Sequence, residues 1–407
     1  MTEVNRLPLR RVFVGIATCV ALLAGTGASP AQEGVAPTPV KILYLSRADD
    51  VAYADIQAAD GVFRPPLPSP FAGAELAVKD TRATAHALGI TIDLDHTTLE
   101  SDGPIAAEAQ RIVADAPAAV IADLPEADMV ALVKALPASS VPIFNIRHRA
   151  DSLRQDLCGS AVYHVIPSRS MLTDALAQFA VQKNWRKVLV LRGPAPDDIA
   201  LANAFETSAQ KFGARIVDTK AFVLGHDPRK RAQTNITLLT GSDDYDVLFL
   251  ADTGGDFGRY VPYQLARPRP VIGTEGLRAT AWDSLSDRFG APQVNHRFER
   301  SAHRSMTEYD WAAWVAVRAV VEAARHKALT GPAVAAALAH DAITMDVSKG
   351  MEASFRPWDH QFRQSIVLQT SDVVIEMAPL EGFLHRVTPL DTLGTDAPEF
   401  SCKAAVR

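Results

Sequence analysis

Short apolar runs that do not alternate recur along this chain. Each is followed by a longer stretch in which apolar residues return every three or four positions. The first run is V-K-I-L-Y-L-S at 40–46, and others stand at 90–95, 118–122 and 141–146. Helical patterns occupy 71–88, 104–116 and 126–136 between them, the first stopped by Gly89. Strands that are apolar on both faces and separated by helices predict a parallel sheet covered on both sides. The pattern then restarts. A connecting strand at 161–166 and a helix at 168–182, with Ser168 as its cap, lead into strands at 188–191, 215–222, 247–251 and 271–273. Helices at 197–212 and 229–240 fall between those strands. The expected fold class is α/β, with two Rossmann-like lobes built on parallel sheets and joined by a hinge of several crossings.

A strong helix follows the second unit. Thr307 and Asp310 open it, and Trp311, Trp314, Val315 and Arg318 share one face, a stripe that reads as core. A shorter helix covers 332–339. The tail is β-rich, and 350–368 predicts strand, turn and strand. Phe355 ends the first strand, Pro357 fixes the turn, Asp359 bonds the backbone two residues on, and 363–368 forms the second strand. Arg356 and Trp358 sit at that turn. An indole face and a forked donor suit a planar anionic ligand. The plainer alternative is that Trp358 packs on a neighbouring loop and Arg356 bonds a backbone carbonyl.

At 407 residues the chain suits two domains, and 48% apolar with 22% charged residues is ordinary for a globular protein. The formal charge is −6 with no long basic run, which gives no footing for nucleic acid. The N-terminus reads as a targeting segment. Arg6, Arg10 and Arg11 precede the apolar stretch 12–24, and Ser29-Pro30-Ala31 offers a cleavage site. We therefore expect export to the periplasm through a cleaved signal peptide at 1–31; an uncleaved anchor is the alternative. The expected division is 40–165 plus about 300–355 for the N-terminal lobe, 166–299 plus about 360–395 for the C-terminal lobe, and 396–407 for a tail. Cys19 leaves with the signal, so Cys158 and Cys402 remain as a pair in an oxidising compartment, and we expect them to form a disulfide rather than two free thiols.

Several long motifs carry a resemblance across both lobes. They include Ala122-Asp123-Leu124-Pro125, the stretch from Asn145-Ile146-Arg147 to Cys158, and His164-Val165-Ile166-Pro167-Ser168 leading to Asp174-Ala175-Leu176-Ala177-Gln178. Phe355-Arg356-Pro357-Trp358-Asp359 and Glu381-Gly382-Phe383 running to Gly394 complete the set. The chain resembles the type I periplasmic solute-binding proteins of ABC uptake systems. Within them it is similar to the receptors linked to alcohol oxidation dependent on pyrroloquinoline quinone (PQQ). That resemblance implies a receptor with PQQ as its bound ligand. It also implies a monomer that serves either an inner-membrane ABC permease or a PQQ-dependent dehydrogenase.

Ligands of open α/β sheets bind outside the carboxyl ends of the strands. That rule selects Arg47, Leu124, Asn145, Arg147 and Arg149 in the first lobe, and Thr253, Glu275, Arg278 and Trp282 in the second. Trp358 and Arg356 join them from the hairpin. A flat tricarboxylate needs faces to stack on and guanidinium forks for its carboxylates, so Trp282 and Trp358 are expected as faces and the arginines as rim. A single arginine is more often solvated or paired within its lobe. The runner-up is an amino acid or other small-carboxylate receptor of the branched-chain class, in which Asp252 or Glu275 takes the ammonium. We expect no enzyme and no metal site. There is no G-x-S-x-G or phosphate-cradling glycine loop, the glycine-rich run 252–258 lacks a basic partner, and the histidines have no ligand spacing.

Overall fold

The computed structural model describes residues 36–54, 56–57, 63–64, 66–138, 141–225, 227–340 and 343–402; the expected signal peptide lies outside them. The first unit runs β1 (Thr38–Arg47), α1 (Phe71–Ala87), β2 (Ile90–Leu99), α2 (Ile105–Asp115), β3 (Ala119–Asp123), α3 (Glu126–Ala135), β4 (Ile143–Asn145), α4 (Asp151–Asp156) and β5 (Val162–His164). Its five strands form one parallel sheet in the order β2-β1-β3-β4-β5. Successive residues of β1 point to opposite faces, as the pleat requires. Ile42 and Tyr44 join one core, Leu43 and Leu45 the other. This is why the run lacks polar alternation.

The second unit runs α5 (Arg169–Gln182), β6 (Lys187–Arg192), α6 (Pro196–Phe212), β7 (Arg215–Ala221), β8 (Val247–Ala251) and β9 (Val271–Gly273), with a parallel sheet ordered β9-β8-β6-β7. It too is packed on both faces: Val190 and Phe249 on one, Leu191 and Leu250 on the other. Ser168 caps α5 by accepting from the Met171 N–H. The helix expected at 229–240 is instead two short helices, Arg231–Thr234 and Ile236–Thr240. Asn235 breaks it, because its side chain accepts from the Leu238 N–H and so starts a new helix.

The chain then supplies β10 (Arg278–Thr280), α7 (Ala291–Ala302), α8 (Glu308–Arg325), α9 (Gly331–Leu338), β11 (Glu352–Phe355), β12 (Phe362–Arg363), β13 (Ile366–Gln369) and β14 (Val374–Ala378). Helix α8 carries the tryptophan stripe and is the centre of the first lobe. Trp311 and Trp314 are wholly buried, and Thr307 with Asp310 forms the capping box at its start. Gly73 of α1 lets the two helices touch. A Cβ there would sit 1.9 Å from the Asp310 carbonyl oxygen, so no other residue fits without a shift.

The core passes from the first lobe to the second between Ile166 and Met171, returns between Ala279 and Ala281, and leaves again between Phe362 and Ile366. Helix α7 packs Val294 and Phe298 into the first core, so that core begins near residue 281, earlier than the expected 300. The second strand expected at 363–368 is likewise split, because Gln364 and Ser365 lie at the crossing. Phe362–Arg363 pairs with β11 on the first-lobe side, and β13 pairs with β10 and β14 on the second. Polar side chains join the three crossings. Gln364 donates to Val165 O (2.7 Å) and accepts from Lys349 Nζ (2.8 Å), which also donates to Ala281 O (2.6 Å). Cys158 and Cys402 are disulfide-bonded across 244 residues, tying the tail back beside α4.

Candidate functional site

The strand rule leads to a cleft between the lobes, with a cavity volume of about 1030 Å³. The first lobe contributes Glu126, Arg147, His148 and Arg149 from the loops after β3 and β4, with Glu308 and Tyr309 from the start of α8. The second lobe contributes Arg169, Leu172 and Leu176 from α5, Asp197 and Leu201 from α6, Asp252 to Gly255 after β8, and Thr274, Glu275 and Arg278 after β9. Arginine and carboxylates alternate around the lining, and lysine is absent from it among the described residues.

Asn145 shapes the first-lobe wall. Its Oδ1 accepts from the Arg147 N–H (3.1 Å) and the His148 N–H (2.8 Å), and its Nδ2 donates to His148 O (2.8 Å). The turn after β4 therefore presents Arg147, His148 and Arg149 to the cleft while Asn145 itself stays wholly buried. Arg147 is held by two carboxylates, Asp50 at 2.7 Å and Asp123 at 3.1 Å. Asp123 also accepts from Tyr44 Oη (2.8 Å) and Tyr53 Oη (2.5 Å). Burial still lifts its pKa above the usual carboxylate range, against those three donors. Arg149 pairs with Glu308 and lies over the Tyr309 ring at 5.7 Å. Glu308 is fixed in turn by Thr280 Oγ (2.6 Å) and the Ala281 N–H (2.9 Å), so this pair couples the cleft to a crossing.

On the second-lobe wall most charges are also matched. Arg169 pairs with Asp197. Asp252 is consumed by the N–H groups of Gly255, Phe257 and Gly258, which close the loop after β8. Thr253 donates both its N–H and its hydroxyl to Asp198. Two side chains stand apart. Among the described residues, neither the Arg278 guanidinium nor the Glu275 carboxylate makes an ion pair or hydrogen bond, although both line the cleft. Leu172, Leu176 and Leu201 supply an apolar patch on the same lobe. The cleft thus offers a free cation, a free anion and a greasy wall.

His148 donates Nε2–H to Leu124 O (2.7 Å) and turns Nδ1 toward Glu126 at 3.7 Å. Burial pushes its pKa down to about 4, with Arg147 and Arg154 adding to the shift. The ring is therefore neutral at pH 7, which fixes that tautomer. The unfolded chain takes up this proton near the ordinary value and the folded chain only near 4. The stabilisation is thus complete above about pH 6.5 and is lost as pH falls toward 4, by about 1.4 kcal/mol per unit. Urea midpoints measured from pH 7 to 4.5 should fall, and should fall less steeply in His148→Gln.

Of the residues expected here from sequence, Arg147, Arg149, Arg278, Thr253 and Glu275 line the cleft. The others are placed elsewhere. Trp282 is 2% exposed, stacked on Trp311 at 6.0 Å, with its Nε1 donating to Asn295. Its apolar body is more stable in the α8 core than at a wet lip. Trp358 is half-buried against the C-terminal tail, donating to Thr395 O (3.3 Å), with Arg356 and Arg363 against its ring. Arg356 is 1% exposed and bonds Asp391 (2.8 Å) and Leu393 O (2.6 Å). The tail needs that fork to satisfy its carbonyls, so the plainer alternative for this pair describes their contacts. Arg47 caps the carbonyls of Glu100, Ser101 and Gly103 and pairs with Asp128. Leu124 belongs to the core that holds Leu43 and Leu45, and only its carbonyl serves the site.

Sequence reasoning missed Arg169, Asp197, Leu201, Glu308 and Tyr309. Arg169, Asp197, Glu308 and Tyr309 lie in the first turns of helices and Leu201 in the second turn of α6, rather than on strand ends. The signal was present for α5 and α6, since a helix that follows a strand end starts where that strand points. Nothing local marks the start of α8 as part of the cleft, because it comes from much later in the chain.

The periplasmic binding protein family model matches residues 56–260. No curated protein matches the chain. Solved structures share its fold. An ABC transporter substrate-binding protein from Desulfitobacterium hafniense, in complex with Leu, is 18% identical, with 84% of this chain and 99% of that one covered and a TM-score of 0.63. A solute-binding protein from R. palustris in complex with benzoate is 15% identical over 84% and 98%, with a TM-score of 0.59. The branched-chain amino acid protein LivJ from Streptococcus pneumoniae, in complex with isoleucine, is 17% identical over 84% and 99%, with a TM-score of 0.58. The chain therefore belongs to the periplasmic binding protein family, with its two-lobe α/β fold, as a non-enzymatic receptor that takes a small molecule and needs no catalytic cofactor.

Proposed function

We propose that the cleft binds a small carboxylate with an apolar body, of the amino acid class, and that the lobes close over it. One observation carries this reading: among the described residues that line the cleft, Arg278 and Glu275 make no hydrogen bond or ion pair, and they share the second-lobe wall with Leu172, Leu176 and Leu201. Arg278 takes the α-carboxylate, Glu275 takes the α-ammonium, and the leucines receive the side chain. All five side chains belong to the second lobe, so the ligand docks there and meets the first-lobe wall of Arg147, Arg149 and Tyr309 only as the lobes close, which draws the closed state out of the open ensemble. The ligands bound in the structural neighbours, leucine, isoleucine and benzoate, favour the same size and chemistry.

The PQQ reading has less support. Its arginine rim survives in Arg147, Arg149 and Arg278, but the first two are already paired, and both indoles meant to stack on the quinone lie outside the cleft. A dehydrogenase as partner falls with it, and an inner-membrane permease remains. Export through a cleaved segment at 1–31 and the lobe division given above belong to this proposal.

The test is titration calorimetry of the mature chain against leucine, isoleucine, benzoate and PQQ. Leucine or isoleucine should bind in the micromolar range or tighter. Binding of PQQ alone would overturn the amino acid assignment, and binding of benzoate alone would remove the ammonium role from Glu275.

A further inference from the structure

A second cavity, of about 380 Å³, lies between the lobes and shares no lining residue with the cleft. One wall comes from the first lobe, Phe289 and Met351. The other is the edge strand β14 with Ile375, which belongs to the second-lobe sheet. The floor is the hinge itself, Ser365 and Lys349. We propose that this cavity is a second ligand site, for a small amphipathic carboxylate, and that filling it changes the affinity of the cleft.

The chemistry of the floor selects the head group. Ser365 lines the cavity, and its hydroxyl makes no hydrogen bond to another described residue, so it is free to donate to an acceptor placed there. Beside it, the Lys349 ammonium is 2% exposed and bonded only to neutral oxygens, Ala281 O and Gln364 Oε1. Burial holds its pKa well below the ordinary lysine value, so a nearby anion would stabilise the charged form. A free hydroxyl beside the Lys349 charge favours a carboxylate on the floor; the lining's other charged side chains are Asp287, Arg288 and Glu376.

The walls select the body. Phe289 is 53% exposed, Ile375 45% and Met351 38%, three apolar side chains facing one space. Phe289 is held there at φ +55°, a conformation that bulky residues avoid. A cavity of this volume is at the small end of the range for small-molecule sites and matches a medium-length aliphatic chain.

Coupling follows from where the walls belong. Rotation of the lobes about the three crossings must change the gap between Phe289 and Ile375. A molecule that fills this gap therefore contacts the open and closed states differently, which is the condition for shifting their populations. Lys349 and Gln364 lie in the network that bonds all three crossings, so the head group acts on the hinge directly.

Octanoate is the probe, titrated into the full mature chain with and without a saturating carboxylate that fills the cleft. Octanoate should bind wild type, bind at least tenfold more weakly to Ile375→Asp and Ser365→Val, and bind Arg278→Ala unchanged. The two ligands should shift each other's Kd by one common factor, as linkage requires. No binding at millimolar octanoate overturns the site. So does loss of binding in Arg278→Ala with retention in Ile375→Asp, which would place octanoate in the cleft. Binding with unchanged cleft affinity overturns the coupling. The octanoate arm reads the cavity whatever the cleft ligand proves to be, so the two readings fail separately.

Discussion

Asp391→Ala should cost the protein about 3–5 kcal/mol, the range for removing one partner from a buried ion pair. The carboxylate Oδ1 accepts from both Arg356 Nε and Arg363 Nε at 2.8 Å, and all three residues are 5% exposed or less. Without it two guanidinium groups lose their shared counter-charge far from water. Arg356 also holds the carbonyls of Leu390, Leu393 and Thr395, so the C-terminal turn comes loose with it. Urea unfolding of wild type and variant measures the loss as a shift in midpoint at similar slope. A loss under about 1 kcal/mol would mean that water reaches the cluster and that Arg356 is free for another task. Affinity for the cleft ligand should stay within a few-fold in the folded variant, because none of the three residues lines the cleft.

Arg278→Ala should weaken binding of the cleft ligand by about 10- to 150-fold, the worth of a charge-assisted hydrogen bond at roughly 1.5–3 kcal/mol. The large value is expected because the Arg278 guanidinium makes no ion pair or hydrogen bond to another described residue and is free for the ligand. Unfolding midpoints should move little, since the side chain acts on the protein only through its charge near Asp283. Trp282→Ala should do the reverse. It removes a buried ring from the α8 core at about 3–5 kcal/mol of stability and leaves affinity in the folded fraction near wild type. Calorimetry and urea melts on the two variants separate the roles. Equal affinity in Arg278→Ala would withdraw the carboxylate anchor, and a large affinity loss in Trp282→Ala at unchanged stability would return the indole to the ligand.

The contrast between those two residues shows where sequence reasoning ends. Both follow the same strand, four positions apart, and both suit a planar anion. Arg278 lies on β10, which faces the cleft. Trp282 lies just past the crossing, where the chain has re-entered the first core and α8 stands ready to stack on it. The same holds for Trp358 and Arg356. The sequence offers them as one stacking face and one fork, but the fork's partners are the Asp391 carboxylate and carbonyls more than thirty residues later. Arg147 and Arg149 are at the cleft because Asn145 folds the turn after β4, a local cause. Tyr309 and Glu308 are there because α8 returns from the far end of the chain.

The two parallel sheets, their covering helices and the burial of the α8 tryptophans were legible in the sequence because each depends on a short-range pattern, strand runs without alternation or a 3.6-residue stripe. The pairing of Cys158 with Cys402, 244 residues apart, was legible only because the count leaves two cysteines. Tertiary structure alone decided which charges were left free in the cleft. An arginine's availability is set by whether a carboxylate from some distant segment reaches it first, and long-range pairing leaves no mark on the neighbouring residues.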